Sequence, residues 1–169
     1  MRSIAEERQS GSLMLLLTTP ISTSELIFAK FISTAIPVLV SVILGFTFAA
    51  SILIFGDPEC GPVLTGGLGL LLFSLLTVSM GLLVSVVSPS QTIAGIFTLV
   101  LGIVWLLLDL PLTGIDGPLF GFIKDIALTA RLSNFFRGVI SFGDTFFFVG
   151  GISLFLLISN QLLSIKREE

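Results

Sequence analysis

The fold is decided by residues 60–108, CGPVLTGGLGLLLFSLLTVSMGLLVSVVSPSQTIAGIFTLVLGIVWLLL, which contain no Asp, Glu, Lys or Arg. A hydrocarbon core of about 30 Å needs about 20 apolar residues when a helix crosses it. The stretch is therefore long enough for two membrane-spanning helices, which we predict at 63–87 and 92–108. The polar sequence SPSQ at 88–91 separates them.

Two further charge-free stretches, 31–56 and 145–165, each have room for one more span. We predict these spans at 26–55 and 145–163, which makes the chain an all-α membrane protein with four transmembrane helices. An even number of spans puts both termini, including the tail at 164–169, on one side. Five Lys or Arg residues on that side against three on the other favour cytoplasmic termini in a plasma membrane, by the positive-inside rule.

The composition of the 169 residues excludes several classes of protein. The chain is 54% hydrophobic and 11% charged, with a mean hydropathy of +1.12. Soluble domains average about 25% charged residues, and disordered chains combine low hydrophobicity with high charge, so both classes are excluded. The chain has no His and one Cys, which excludes an internal disulfide and a His/Cys metal site. A net charge of −3 provides no basic footprint for nucleic acid.

The first three spans each carry small or hydroxyl residues at steps of three, four or seven, which place each set on one helix face. Such faces let helices pack closely and hydrogen-bond in lipid, and they can also line a path for a substrate. Both interpretations stay open for Thr34, Ser41, Ser74, Thr77, Gly81, Thr98 and Gly102.

The spans offer no set of residues that would power transport or catalysis. Ion-coupled carriers keep an ionisable residue inside the membrane, and intramembrane hydrolases need a nucleophile, a base or metal ligands. We expect none of these here, and none of Lys30, Lys124 and Lys166 completes the P-loop that binds ATP. The sequence therefore predicts a protein that is not an enzyme, binds no metal or cofactor, and takes its energy from another subunit.

Before the first span, residues 1–25 form a cytoplasmic segment in this interpretation. Its apolar run, LMLLL at 13–17, is too short to cross a membrane. Ser22 and Glu25 have the spacing of a capping box at the start of a helix. The apolar run can lie in the lipid interface or dock a soluble partner, and the residues alone leave both open.

Between the third and fourth spans, residues 109–144 are too polar to span the membrane and too apolar for a free loop. Two apolar faces predict two short amphipathic helices on the outer surface, joined at 129–133. The first face holds Leu119, Phe122, Ile123 and Ile126, and the second runs from Leu132 to Ile140. The polar residues of this segment are a solvated face or else part of a substrate gate. The candidates for such a gate are Phe136, Arg137 and Asp144.

Two stretches resemble signatures of the ABC-2 type membrane permeases. The first is AEERQSGSLMLLLTTPIS at 5–22, which fits E-x3-G-[TS]-L-x2-L-x3-P-x-S, although Met14 stands where the family often has Glu. The second is RLSNFFRGVISFGDTFFF at 131–148, which roughly fits H-F-x-x-F-x-R-G-x-I-x-x-x-D. The resemblance covers essentially the whole chain, which is similar to the gliding-motility and copper-processing types of permease subunit.

The resemblance implies a half-transporter with six spans, so we expect this chain to hold the C-terminal four. We favour two more spans that would precede Met1; the alternative is that another polypeptide supplies them. Two such permease domains, from a second copy or a homologue, would face each other in the lipid bilayer. Two separate ABC ATP-binding subunits would carry the ATP and Mg. The segment that would dock on them as a coupling helix contains Glu7, Gly11, Leu13, Leu16, Pro20 and Ser22.

The function that follows from the resemblance is that of a membrane permease subunit in an ATP-driven transporter, with export as the expected direction. The alternative is a non-transporting structural or assembly protein with four membrane helices.

Overall fold

The computed structural model describes residues 22–55, 60–107 and 127–168, and every regular element in these ranges is an α-helix. This confirms the all-helical class predicted from the sequence. The five helices are α1 (Thr23–Phe55), α2 (Cys60–Val87), α3 (Gln91–Leu107), α4 (Leu128–Phe136) and α5 (Phe142–Glu168).

Three of these helices contain segments long and apolar enough to cross a membrane, at Thr23–Ala49, Gly61–Val87 and Phe142–Ile165. The fourth apolar helix, α3, has 17 residues. At 1.5 Å per residue it rises about 25 Å, which is less than the roughly 30 Å of a hydrocarbon core. A fourth crossing therefore stays a prediction, since residues 108–126 lie outside the described residues.

Helix α2 lies at the centre of the bundle and packs against each of the other four helices. Buried apolar side chains gather in two clusters along it. One cluster lies where α1 begins and α5 ends, and we call this the Ser24 end; its members are Leu26, Ile27, Leu82, Val86 and Leu163. The other lies where α4 packs on α2 and α5, and we call this the Arg131 end; its members are Leu76, Leu128, Phe135 and Phe148.

Glycines bring the helices of the bundle close together at the Arg131 end. A Cβ placed on Gly69 would lie 2.7 Å from Cβ of Phe135, which is an atom fixed close to the α4 backbone. A Cβ placed on Gly67 would overlap the ring of Phe46 in α1. Gly69 therefore allows the observed spacing of α2 and α4, whereas a side chain at Gly67 would require the Phe46 ring to move.

The short helix α4 differs from the sequence-based prediction. Residues 129–133, predicted to link two helices, lie inside α4, and the second apolar face does not continue as a helix to Ile140. The helix ends because Gly138 adopts a left-handed φ of 85°. The N–H groups of Gly138 and Val139 then donate to the carbonyls of Phe135 and Asn134 at 3.1 and 3.0 Å. These bonds form a Schellman motif, which ends a helix and satisfies its last carbonyls.

The first of the two predicted outer helices, at 119–126, lies outside the described residues. The predicted placement of a linker at 129–133 was wrong because an apolar pattern with a period of 3.6 does not mark the residue at which a helix stops. The arginine–glycine pair at 137–138 carried that signal, since glycine is the usual residue just past a helix end.

Candidate functional site

A groove with a volume of about 810 Å³ lies between α1 and α3 and has α2 as its floor. The residues of α1 that line it are Lys30, Thr34 and Val38, which follow one another at steps of four along a single helix face. The floor is formed by Phe73, Thr77, Val78, Gly81, Leu82 and Ser85. The wall on α3 is formed by Gln91, Ala94, Gly95, Thr98, Leu99, Gly102, Ile103, Leu106 and Leu107.

Most of the small and hydroxyl residues singled out in the sequence meet at this groove. Those that line it are Thr34, Thr77, Gly81, Thr98 and Gly102. The structure does not bring Ser41 and Ser74 to the groove. Their hydroxyls donate to the carbonyls of Pro37 and Leu70, at 2.9 and 2.7 Å, on their own helices.

The threonine hydroxyls of the groove are bonded within their own helices. Oγ1 of Thr34 donates to the carbonyl of Lys30 at 2.8 Å, and Oγ1 of Thr77 donates to that of Phe73 at 2.9 Å. Oγ1 of Thr98 donates to the carbonyl of Ala94 at 2.8 Å. This bonding to the carbonyl four residues earlier uses the only proton of each hydroxyl. The groove is therefore more apolar than its residue types suggest.

The glycines of the groove differ in what lies next to them. A Cβ placed on Gly81 would lie 3.4 Å from Cγ2 of Thr98, so α2 and α3 are in contact at this point and the pair is a packing seam. At Gly95 and Gly102 no atom lies within 4 Å of such a Cβ. These two glycines widen the groove and do not pack against any residue that the structure describes.

Lys30 is the only formal charge among the described residues that line the groove. It is half-buried and lies near the start of the apolar segment Thr23–Ala49. Sequence reasoning counted Lys30 among the cations of the cytoplasmic side and did not place it at a site. No other cation occurs between Arg8 and Lys124.

A second polar site lies at the Arg131 end, centred on the carboxylate of Asp144, which is 6% exposed. Its Oδ1 accepts a hydrogen bond from Nη1 of Arg131 at 3.0 Å, and its Oδ2 accepts one from Nδ2 of Asn134 at 2.8 Å. Arg131 Nη1 also lies 3.4 Å from the carbonyl oxygen of Gly143. Because Asp144 lies in the first turn of α5, its charge also interacts favourably with the helix dipole. We call Arg131, Asn134 and Asp144 the Asp144 cluster.

Aromatic side chains extend this cluster to α3. The guanidinium carbon of Arg131 lies 4.2 Å from the centre of the Phe147 ring, a cation–π distance. Phe147 and Phe155 meet Trp105 edge-to-face, with centroids 6.2 and 6.1 Å apart. Through these contacts one cluster joins α3, α4 and α5.

The three residues predicted as an outer gate are not brought together. Asp144 is buried in the Asp144 cluster, whereas Phe136 and Arg137 are exposed. Arg137 caps the end of α4 through its backbone N–H, which donates to the carbonyls of Ser133 and Asn134. Sequence reasoning missed Asn134. Its spacing of three from Arg131 places both residues on one helix face, which is the pattern that could have identified the pair.

Most residues of the predicted coupling segment, Glu7, Gly11, Leu13, Leu16 and Pro20, lie outside the described residues. Its last residue, Ser22, forms the predicted capping box with Glu25 at the start of α1. The N–H of Ser22 donates to Oε2 of Glu25 at 3.1 Å, and the N–H of Glu25 donates to Oγ of Ser22 at 3.3 Å. The structure confirms this motif, which fixes where α1 begins.

At the same end of the bundle, Nδ2 of Asn160 in α5 donates to Oγ of Ser24 at 3.0 Å. The Oδ1 atom of Asn160 is buried and has no hydrogen-bond partner among the described residues. The single bond joins the last turns of α5 to the first turn of α1.

The comparison with curated proteins and the comparison with solved structures each gave no significant match. The family model described as ABC-2 family transporter protein matches residues 1–137. This range includes the 5–22 signature and helices α1 to α4, and the described residues that line the groove all belong to α1, α2 and α3. Because the match extends over most of its length, the chain belongs to the ABC-2 family of transporter proteins.

Proposed function

We propose that this chain is the membrane subunit of an ATP-driven exporter, in which a separate ABC ATP-binding subunit hydrolyses ATP. Family membership carries the proposal, since ABC-2 permeases are membrane components of ABC transporters and work with such a subunit. In this proposal all four apolar helices cross the plasma membrane, the termini are cytoplasmic, and a second permease copy completes the transporter.

The coupling segment is the part of the chain that makes this proposal testable. It carries the family signature at 5–22 and leads directly into α1, whose start is fixed by the capping box of Ser22 and Glu25. A displacement of the segment by the ATPase would therefore be passed to α1, which forms one wall of the groove. In this mechanism the groove changes the side of the membrane to which it opens as the ATPase pair closes.

The test is co-purification of this chain with the ABC ATPase, followed by measurement of ATP hydrolysis in proteoliposomes. Gly11→Trp or Leu16→Asp in the coupling segment should abolish both co-purification and the stimulation of hydrolysis. Gly45→Trp makes the same glycine change at an exposed position of α1 with no atom within 4 Å, and it should leave both intact. Association that survives both changes in the coupling segment would refute the docking role.

The direction of transport has its own measurement. Inside-out vesicles that contain the complex should accumulate substrate in the lumen when ATP is added outside. Accumulation in right-side-out vesicles supplied with internal ATP would indicate import and would contradict the exporter assignment.

A further inference from the structure

We propose that the turn between α4 and α5 lies in the headgroup layer of the membrane, with its apolar side chains among the lipid chains and Arg137 bound to a lipid phosphate. The exposed apolar side chains of this surface, which we call the corner patch, are Phe136, Val139, Ile140, Phe142 and Phe146. This placement requires α2 and α5 to cross the membrane, as proposed above, but it does not require the ATPase partner.

The start of α5 has its charge inside and its aromatic rings outside. Phe142 and Phe146 lie one turn apart on the same helix face and are 95% and 79% exposed. Asp144, between them in the sequence, is buried and bonded to α4. A helix start in water would be more stable with the carboxylate exposed and the rings buried. The reverse arrangement fits lipid, and Phe142 is the first residue of the apolar segment Phe142–Ile165.

The end of α4 is held beside the first turns of α2. A Cβ placed on Gly138 would lie 3.5 Å from the ring of Pro62, and one placed on Gly66 would lie 3.0 Å from the ring of Phe136. Pro62 and Gly66 belong to the apolar segment Gly61–Val87, whose 27 residues rise about 40 Å. This length exceeds the hydrocarbon core of about 30 Å and approaches the 40–45 Å or so of a bilayer with its headgroups. The first turns of α2 therefore reach the headgroup layer, and the turn after α4 lies at the same level.

The backbone at the end of α4 is bonded within the protein. The carbonyl of Phe135 accepts hydrogen bonds from the N–H of Gly138 at 3.1 Å and from Oγ1 of Thr65 at 2.6 Å. The carbonyl of Asn134 accepts one from the N–H of Val139 at 3.0 Å. Backbone groups inside a membrane must find their partners in the protein. These bonds therefore suit a layer in which water is scarce.

Arg137 supplies the polar contact of this surface. It is exposed and follows Phe136, and its guanidinium has no hydrogen-bond or ion-pair partner among the described residues. An arginine flanked by apolar side chains in lipid extends its head to the nearest polar layer. A planar guanidinium forms paired hydrogen bonds with phosphate oxygens, and phosphate is the group that phospholipids carry at this depth. Arg131 of the same helix is already paired with Asp144.

The first test measures the depth of the corner patch by tryptophan fluorescence in liposomes of brominated phosphatidylcholine. The single native tryptophan is removed by Trp105→Phe, and Phe142→Trp then carries the probe. Its emission should be blue-shifted and quenched most strongly by bromines near the glycerol end of the acyl chains. Leu154→Trp is the matched control, because Leu154 is exposed on α5 about 18 Å further along the helix. Its emission should be quenched best by bromines deep in the acyl chains.

Three results of this test would overturn the inference. Red-shifted emission from Phe142→Trp that aqueous iodide quenches would place the corner patch in water. Blue-shifted emission that brominated lipid does not quench would mean that protein, such as a second copy of the chain, covers the corner patch. Absence of quenching in Leu154→Trp would show that α5 does not cross the membrane, and it would remove the crossing proposed above together with the inference.

The second test addresses the phosphate contact. Solid-state NMR of protein labelled with carbon-13 in its arginine guanidinium groups detects those that lie close to lipid phosphorus, in bilayers of phosphatidylcholine. The chain has five arginines, so the difference between wild type and Arg137→Gln isolates the signal of Arg137. That signal should be dephased by phosphorus. A difference signal that phosphorus does not dephase would refute the contact between Arg137 and phosphate.

Discussion

Removal of the Asp144 carboxylate should destabilise the bundle more than any single change at the exposed surface. The carboxylate is held by Arg131 and Asn134 of α4 and lies in the first turn of α5. The side chains of Arg131 and Asp144 are only 22% and 8% exposed, so water cannot fully replace the partners that the substitution removes. We therefore compare Asp144→Ala, Arg131→Met and the double variant in a thermodynamic cycle.

The magnitude follows from the contacts. Asp144→Ala removes two hydrogen bonds to a charged group, each contributing about 1.5–3 kcal/mol. Breaking a fully buried ion pair costs about 3–5 kcal/mol. The cost here is smaller, because Arg131 keeps its place over the Phe147 ring and its contact with the Gly143 carbonyl. We expect a loss of about 2–4 kcal/mol for Asp144→Ala and a coupling energy between the two residues of about 1.5–3 kcal/mol.

The assay is equilibrium unfolding in mixed micelles, with sodium dodecyl sulfate as the denaturant and circular dichroism as the readout. Arg137→Met is the matched control, since Arg137 is an exposed cation at the end of the same helix, and we expect a change within about 0.5 kcal/mol. The coupling energy should persist at high salt, because partly buried pairs are weakly screened. A coupling below about 0.5 kcal/mol would refute the view that this cluster holds α4 on α5.

Three further changes test the packing of the bundle by the same unfolding assay. Gly69→Ala should destabilise the bundle by about 1–3 kcal/mol, because the new Cβ meets the Cβ of Phe135. The control, Gly95→Ala, should be neutral or slightly stabilising. Equal effects of the two changes would contradict the close approach of α2 and α4. Gly138→Ala should lower the stability of the bundle by about 1–2 kcal/mol, because alanine disfavours the left-handed backbone that ends α4. Unchanged stability would contradict the left-handed conformation at this position. Asn160→Leu should change stability by less than about 1 kcal/mol, because two effects offset each other. The change removes one exposed hydrogen bond, and it also removes a buried oxygen that has no partner among the described residues. A large loss of stability would indicate that this oxygen has a partner outside the described residues.

The parts of the fold that sequence reasoning predicted are those encoded over short distances. The gaps between charges located the apolar helices, since a charged side chain inside lipid is costly wherever the helix packs. The capping box of Ser22 and Glu25 was also readable, because both partners lie within one turn. The spacing of Thr77 and Gly81 correctly placed them on a common face, which became the floor of the groove.

The other features of the fold and the site depended on which helices pack together, and the sequence alone does not determine this. Thr34 and Ser41 share a face by their spacing, yet only Thr34 lines the groove. The ion-pair partner of Asp144 could be identified only once the position of α4 was known. Arg137 is the nearer arginine in sequence, but Arg131 is the one that pairs with Asp144.

The hydroxyl bonds inside the helices also affect how the chain enters the membrane. Thr34, Ser74, Thr77 and Thr98 donate to carbonyls of their own helices, so these bonds form with each helix and need no neighbour. An inserting segment therefore presents lipid with fewer unsatisfied donors than its count of Ser and Thr suggests. Each long apolar segment can partition from the translocon as an independent helix before the bundle assembles, and during biogenesis its hydroxyl residues act almost as small apolar ones.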